Sequence, residues 1–288
     1  MQAREFLALR KHASTPYGDV AYVEQGSGPV ALFVHGVLLN GALWRHVIEG
    51  LKVERRCIAI DILGHGATRA APGTDLSFTT QAAMIEAFLQ AMNIDQVDLI
   101  ANDSGGGGAQ IFAAEHPERI RTLTLTNCDT HDNYPPEALK GFIGLAKAGQ
   151  IGATIQRVFD DPDFGKNLLG TAYVDPGALS RDTIDAYLRP WLEGDRAKDL
   201  ERFLLQNEDS TQSTRVEPKL RQLRAPALVV WATDDVFFDK QWAYWLRDTL
   251  PNVTEVIEVP GAKLFFPEER PEALIEPIRK LWKVAVAA

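Results

Sequence analysis

Apolar residues gather along this chain in short runs, separated by polar corners rich in glycine and proline. Val30-Ala31-Leu32-Phe33-Val34 is one such run. Cys57-Ile58-Ala59-Ile60, Val97-Asp98-Leu99-Ile100-Ala101, Leu123-Thr124-Leu125-Thr126 and Ala227-Leu228-Val229-Val230-Trp231 are others. Runs of this length fit strands buried on both faces. Val253–Val259 alternates instead, as a more exposed edge strand does. Near the start, residues 6–12 and 20–24 read as two strands joined by the turn residues Pro16-Tyr17-Gly18. Residues 79–92 repeat differently. Ala82, Ile85, Leu89 and Met92 recur at helical spacing, with Glu86 and Gln90 on the other side. Strands alternating with helices predict an α/β fold, with a mostly parallel sheet and helices on both faces.

The alternation stops between residues 133 and 221. Leu139, Phe142, Ile143 and Ala146 keep helical spacing there, and no buried-strand run occurs. About ninety residues are too many for one crossover connection. The pattern divides the chain into a first core part at 1–133, a helical cap at 134–222 and a second core part at 223–288. Caps of this kind cover active sites and exclude water.

Composition narrows the function classes. The chain has 288 residues, 45% of them hydrophobic, and a net charge of −9. It can bury a large core, and it has no Lys/Arg cluster for a nucleic-acid surface. No apolar run approaches the roughly 18–20 residues of a membrane span. The opening Met1-Gln2-Ala3-Arg4-Glu5 lacks the basic-then-apolar pattern of a signal peptide, so a cytoplasmic protein is expected. Cys57 and Cys128 then read as buried free thiols, with a disulfide left open. The expected partner is a small-molecule substrate, with no nucleic acid and no membrane; a homodimer is left open.

The chemistry concentrates in Leu99-Ile100-Ala101-Asn102-Asp103-Ser104-Gly105-Gly106-Gly107-Gly108-Ala109-Gln110. A strand-like run enters a Gly-rich corner and leaves as a helix-like run ending at His116-Pro117. That is the layout of a nucleophile elbow. Two further segments accompany it, His35-Gly36-Val37-Leu38 after the run 30–34 and Asp61-Ile62-Leu63-Gly64-His65-Gly66 after the run 57–60. Together they resemble the α/β-hydrolase fold family over residues 26–282. The resemblance implies an eight-stranded, mostly parallel sheet with helices on both faces, an inserted helical cap, and no organic cofactor.

Asp103 and Ser104 each have a glycine two positions later, so register selects the nucleophile. In the family it lies about five residues after the acid opening the strand and about fourteen before the proline closing the helix. With Asp98 and Pro117 as markers, both counts select Asp103. An aspartate there resembles the haloalkane dehalogenases, haloacetate dehalogenases and soluble epoxide hydrolases. The resemblance implies that Asp103 attacks carbon to form an ester that water cleaves. Backbone N–H groups of Ser104 and of Val37 or Leu38 would hold the oxyanion.

The chain also departs from those relatives. Val37 and Ser104 stand where haloalkane dehalogenases carry halide-binding Asn and Trp. Tyr134, Tyr173 and Tyr187 lie in the cap segment, where epoxide hydrolases use a tyrosine pair. Asp235, in Trp231-Ala232-Thr233-Asp234-Asp235, matches the relay acid. In Pro260-Gly261-Ala262-Lys263-Leu264-Phe265-Phe266-Pro267, Leu264 occupies the histidine position. His131, in Asn127-Cys128-Asp129-Thr130-His131-Asp132, is the histidine expected within reach of Asp103 as a substitute base. Asp103, Asp129, His131 and Asp132 could also gather at a metal, but Asp-x-His-Asp is a weak pattern, and no metal is assigned.

The expected function is hydrolysis of a small apolar epoxide, haloalkyl or ester substrate through Asp103. Two alternatives stand beside it. One is a non-hydrolytic lyase or cyclase using Asp103 as acid and base. The other is a ligand-binding protein that kept the fold without turnover.

Overall fold

Eight strands hydrogen-bond side by side in a computed structural model that describes residues 1–287. In chain order the strands are β1 (Lys11–Thr15), β2 (Gly18–Gln25), β3 (Val30–Val34), β4 (Arg56–Ile60), β5 (Arg69–Ala70), β6 (Val97–Asp103), β7 (Ile120–Cys128), β8 (Ala227–Ala232) and β9 (Val253–Val259). The sheet order is β1-β2-β4-β3-β6-β7-β8-β9, and the two-residue β5 pairs with β2 beside this path. Every pair from β4 to β9 is parallel, and β1 and β2 are antiparallel to their neighbours. This is the expected α/β-hydrolase architecture, with the short β5 added.

The apolar runs became strands because both sheet faces are covered. β3 and β6 are buried at every position, whereas β9 is mostly half-exposed, as its alternation predicted. Each fully buried Val, Leu, Ile or Phe contributes about 1.5–3 kcal/mol. The predicted helix at 79–92 is Phe78–Ala91, capped by the Ser77 hydroxyl on the Thr80 N–H.

The first predicted strand is a correction. Residues 3–7 form a helical turn, and β1 begins only at Lys11. Ala3 and Phe6 lie one turn apart and are both fully buried. Arg4 reaches Asp182 and Asp185, which no local pattern encodes.

Between β7 and β8 every regular element is helical, with no strand. A buried polar cluster joins this insert to the core. Glu268 accepts from Arg45 Nη2 at 2.6 Å, from the Tyr187 hydroxyl at 2.6 Å and from the Tyr173 hydroxyl at 3.0 Å. Trp191 Nε1, on the insert, donates to the Leu38 carbonyl at 2.9 Å. No helix among the described residues is long and apolar enough to cross a membrane. Cys57 and Cys128 are free and buried.

Candidate active site

The chain runs from β3 to β4 on one side and from β6 to β7 on the other, so strand order reverses between β3 and β6. A crevice opens at the carboxyl ends of strands at such a point. Here the loop after β3 supplies Val37 and Leu38, and the last residue of β6 is Asp103. The elbow helix Ser104–Glu115 begins immediately afterwards.

Asp103 sits at φ 55° and ψ −138°, a region that residues with side chains avoid. Such strain costs about 1–3 kcal/mol and persists only where the surroundings enforce it. Two glycines allow it here. A Cβ at Gly36 would lie 2.3 Å from the Asp103 Cβ, and one at Gly105 would lie 2.1 Å from the His35 carbonyl oxygen. The glycines of both motifs therefore let the loop after β3 press against the elbow.

Asp103 lines a cavity of about 230 Å³ beneath the insert. Val37, Leu38, Ser104 and Leu264 share the lining, as does Asp129. The insert contributes Leu139, Phe142, Leu168 and other apolar side chains, and Phe237 and Phe238 follow β8. The Asp103 residue is buried, and its Oδ2 has no hydrogen-bond partner. Burial, then the charge of Asp235, push the Asp103 carboxyl up to about 7. The Ser104 and Val37 backbone N–H groups favour the ionised form and oppose that rise.

Asp235 is held from two sides. Its Oδ2 accepts from Asn127 Nδ2 at 2.7 Å, and its Oδ1 accepts from the Phe237 N–H at 2.8 Å. Burial pushes it also up to about 7, against those two donors. Asn127 was not legible as a site residue. The register of β7 on β6 skips it, with Asn102 opposite Thr126 and Asp103 opposite Cys128. Such an irregularity re-aims a side chain, and Asn127 points toward β8, where its Oδ1 also accepts from the Ala232 N–H at 2.7 Å.

Leu264 stands in the cavity wall on a loop tied from both ends. Its carbonyl accepts from Asn102 Nδ2 at 3.2 Å, and the Phe265 N–H donates to the Ala172 carbonyl at 3.0 Å. Lys263 sends its ammonium to the Gly170 carbonyl on the insert.

His131 is a correction. Its imidazole turns away from the cavity, where Nδ1 meets the Glu217 carboxylate and the ring stacks on Trp245 with centroids 4.9 Å apart. Glu217 comes from the end of the insert, 86 residues downstream, so no local pattern announced it. None of the six histidines is among the cavity's lining residues. His35 serves the loops instead. Its Nε2 accepts from the Ile62 N–H at 3.1 Å while Nδ1 meets the Gly36 carbonyl at 2.7 Å, which places the proton on Nδ1. Burial lowers the values of both His35 and His65 and keeps them neutral.

Two of the three insert tyrosines are likewise committed elsewhere, Tyr173 and Tyr187 to Glu268. Tyr134 is buried, and its hydroxyl has no partner. Asp103, Asp129, His131 and Asp132, the weak pattern to which no metal was assigned, do not gather into one cluster among the described residues, and His131 pairs with Glu217.

The comparisons with known proteins agree with this architecture. The chain is 27% identical over 278 residues to a cis-3-alkyl-4-alkyloxetan-2-one decarboxylase of Xanthomonas campestris pv. campestris, covering 90% of this chain and 91% of that protein. It is 32% identical over 192 residues to a haloalkane dehalogenase of Mesorhizobium japonicum, covering 63% and 60%. The crystal structure of a haloalkane dehalogenase from Bradyrhizobium elkani superimposes with a TM-score of 0.79 at 21% identity, over 96% of this chain and 98% of that one, which shows a common fold. The model of the alpha/beta hydrolase fold family matches residues 29–270, so the chain belongs to that family.

Proposed function

We propose that this protein is a hydrolase in which the Asp103 carboxylate attacks a small apolar electrophile: an epoxide, a haloalkyl compound or an activated ester. The observation that carries this reading is the Asp103 backbone itself. It is held at positive φ with its carboxyl in an apolar cavity, where Oδ2 is free of hydrogen bonds. A desolvated, oriented carboxylate is a competent nucleophile toward carbon. The Val37 and Ser104 N–H groups stand where the ester's carbonyl oxygen would gain charge when water attacks. A cavity of about 230 Å³ is smaller than the roughly 300–1,000 Å³ of drug-sized sites, so the substrate is small. Asp235 is the relay acid of this reading, positioned by Asn127, with Leu264 where an imidazole would link it to water.

A second reading is supported by the full-length relative named as a decarboxylase of an alkyl-substituted oxetan-2-one. In that reading Asp103 works without water. A carboxyl with a value near 7 can hold or release a proton at neutral pH, which suits acid–base work.

Intact-protein mass spectrometry after exposure to 1-bromohexane, followed by peptide mapping, tests the first reading. A hexyl ester on Asp103 is expected, absent in Asp103→Asn. Its rate of formation rises about tenfold per pH unit below 7 and levels off above, as the carboxylate forms. An unlabelled protein, or a label elsewhere, overturns the nucleophile assignment. Repeated turnover in ¹⁸O-water separates the two readings, because only hydrolysis carries the label into the product.

A further inference from the structure

Asp129 has no role in the chemistry above, yet it is among the most unusual side chains of the site. It follows β7 directly, at the carboxyl end of the strand beside β6. Its backbone carbonyl accepts from Gln110 Nε2 at 2.7 Å, and the same amide group donates to Gly106 on the elbow helix at 3.0 Å. The residue is thus pinned to the element that carries Asp103. It is 1% exposed and lines the cavity with Asp103 and Ser104, and neither carboxyl oxygen has a hydrogen-bond partner. A buried carboxylate with no cation and only the Ser104 hydroxyl near it is costly, so this group keeps its proton. Burial, and then the charge of Asp103, hold it well above the usual carboxylate range. The cavity therefore pairs an ionisable carboxyl at Asp103 with a neutral carboxylic acid at Asp129, and it holds no imidazole.

We propose that Asp129 is the catalytic acid and then the base of this site, and that the cavity favours strained oxygen rings, such as epoxides, over haloalkanes. The proposal rests on Asp103 as the nucleophile. An Asp103 oxygen bonds to a ring carbon, the carbon–oxygen bond breaks, and the ring oxygen takes the Asp129 proton. The products are an Asp103 ester bearing a free hydroxyl and an Asp129 carboxylate. That carboxylate then takes a proton from water, and hydroxide adds to the ester carbonyl beside the Val37 and Ser104 N–H groups. The tetrahedral intermediate expels the alkoxide, which takes the remaining carboxyl proton of Asp103. Asp103 returns as carboxylate and Asp129 as acid, and the sum is epoxide plus water to diol. Opening the ring thus creates the base that the missing histidine would have been. A haloalkane creates none. Its halide leaves without a proton, Asp129 stays neutral, and the ester stalls.

The test compares 1,2-epoxyhexane with 1-bromohexane on the full chain at pH 8, following diol by chromatography and ester by intact mass. The wild type is expected to turn over the epoxide without accumulating ester, and to accumulate a hexyl ester on Asp103 from the bromide. Asp129→Asn should still form the hexyl ester with the bromide, and its epoxide opening should fall about 10²–10⁴-fold further than its bromide alkylation does, the usual range for a lost acid. Bromide labelling of that variant also reports an intact site. If the variant does not fold, the contrast between the two reagents in the wild type still decides. An epoxide-derived ester that accumulates in the wild type, equal turnover of both reagents, or wild-type epoxide opening by Asp129→Asn overturns the role of Asp129 and leaves Asp103 standing. A wild type that neither labels nor turns over either reagent overturns the Asp103 reading and this one with it.

Discussion

Asp98 and Asp103 sit at opposite ends of the same strand, and both are buried. Asp98 is fully provided for. Its Oδ2 meets Arg55 Nε at 2.8 Å and Arg121 Nη1 at 3.0 Å, and its Oδ1 accepts from the Thr122 hydroxyl at 2.9 Å. Asp103 meets no cation, keeps one oxygen free and sits at strained backbone angles. One residue type on one strand serves two purposes. At the amino end it joins β6 to β7 and to Arg55, the residue before β4; at the carboxyl end it stays unpaired in the cavity wall. A folded protein tolerates the second arrangement because burial of its large apolar core supplies the stability.

The largest expected effect concerns what the carboxyl end lacks. Leu264→His puts an imidazole in the cavity wall. The hexyl ester left on Asp103 by 1-bromohexane should then decay about 10²–10⁴-fold faster, the usual contribution of a general base. Ester lifetimes from single-exposure mass spectrometry give the number. An unchanged lifetime would mean that the missing imidazole is not why the ester persists.

Next is the amino end. Asp98→Ala takes the shared, fully buried carboxylate from the partly buried Arg55 and Arg121 and should cost about 3–5 kcal/mol in urea unfolding. Labelling of Asp103 should persist wherever the variant is folded. A cost below about 1 kcal/mol would erase the contrast between the two ends.

The smallest effect has the opposite sign. The Asp103 value rises on folding from 3.8 to about 7, so between those values the native state binds more protons than the unfolded chain. Stability therefore falls as pH rises through that window. Asp103→Asn removes this penalty. The variant should be more stable than wild type by about 2–4 kcal/mol at pH 8 and equal to it near pH 4. Thermal melts at the two pH values check this, and a variant less stable at pH 8 would show that Asp103 is better paired than its surroundings indicate.

What was legible in the sequence was local. Apolar runs of strand length, glycines at tight corners and the spacing from Asp98 to Pro117 placed the sheet, both loops and Asp103 in the cavity. Leu264 lines the same cavity, and the count that singled it out runs along one loop. The error at residues 6–12 arose where the local pattern was ambiguous, and a helical turn at residues 3–7 instead buries Ala3 and Phe6.

The side-chain partnerships came only from the tertiary structure. His131 looked available because Asp103 lay nearby in the fold, yet Glu217 and Trp245, each more than eighty residues away in sequence, take its ring. Asn127 became the holder of Asp235 through an irregularity in strand pairing, and Asp129 proved to be a buried carboxyl that no cation or backbone N–H meets. Backbone patterns repeat every two or 3.6 residues and can be read along the chain. Whether a buried polar group finds a partner depends on what the fold brings across from elsewhere, and that leaves no periodic trace in the sequence.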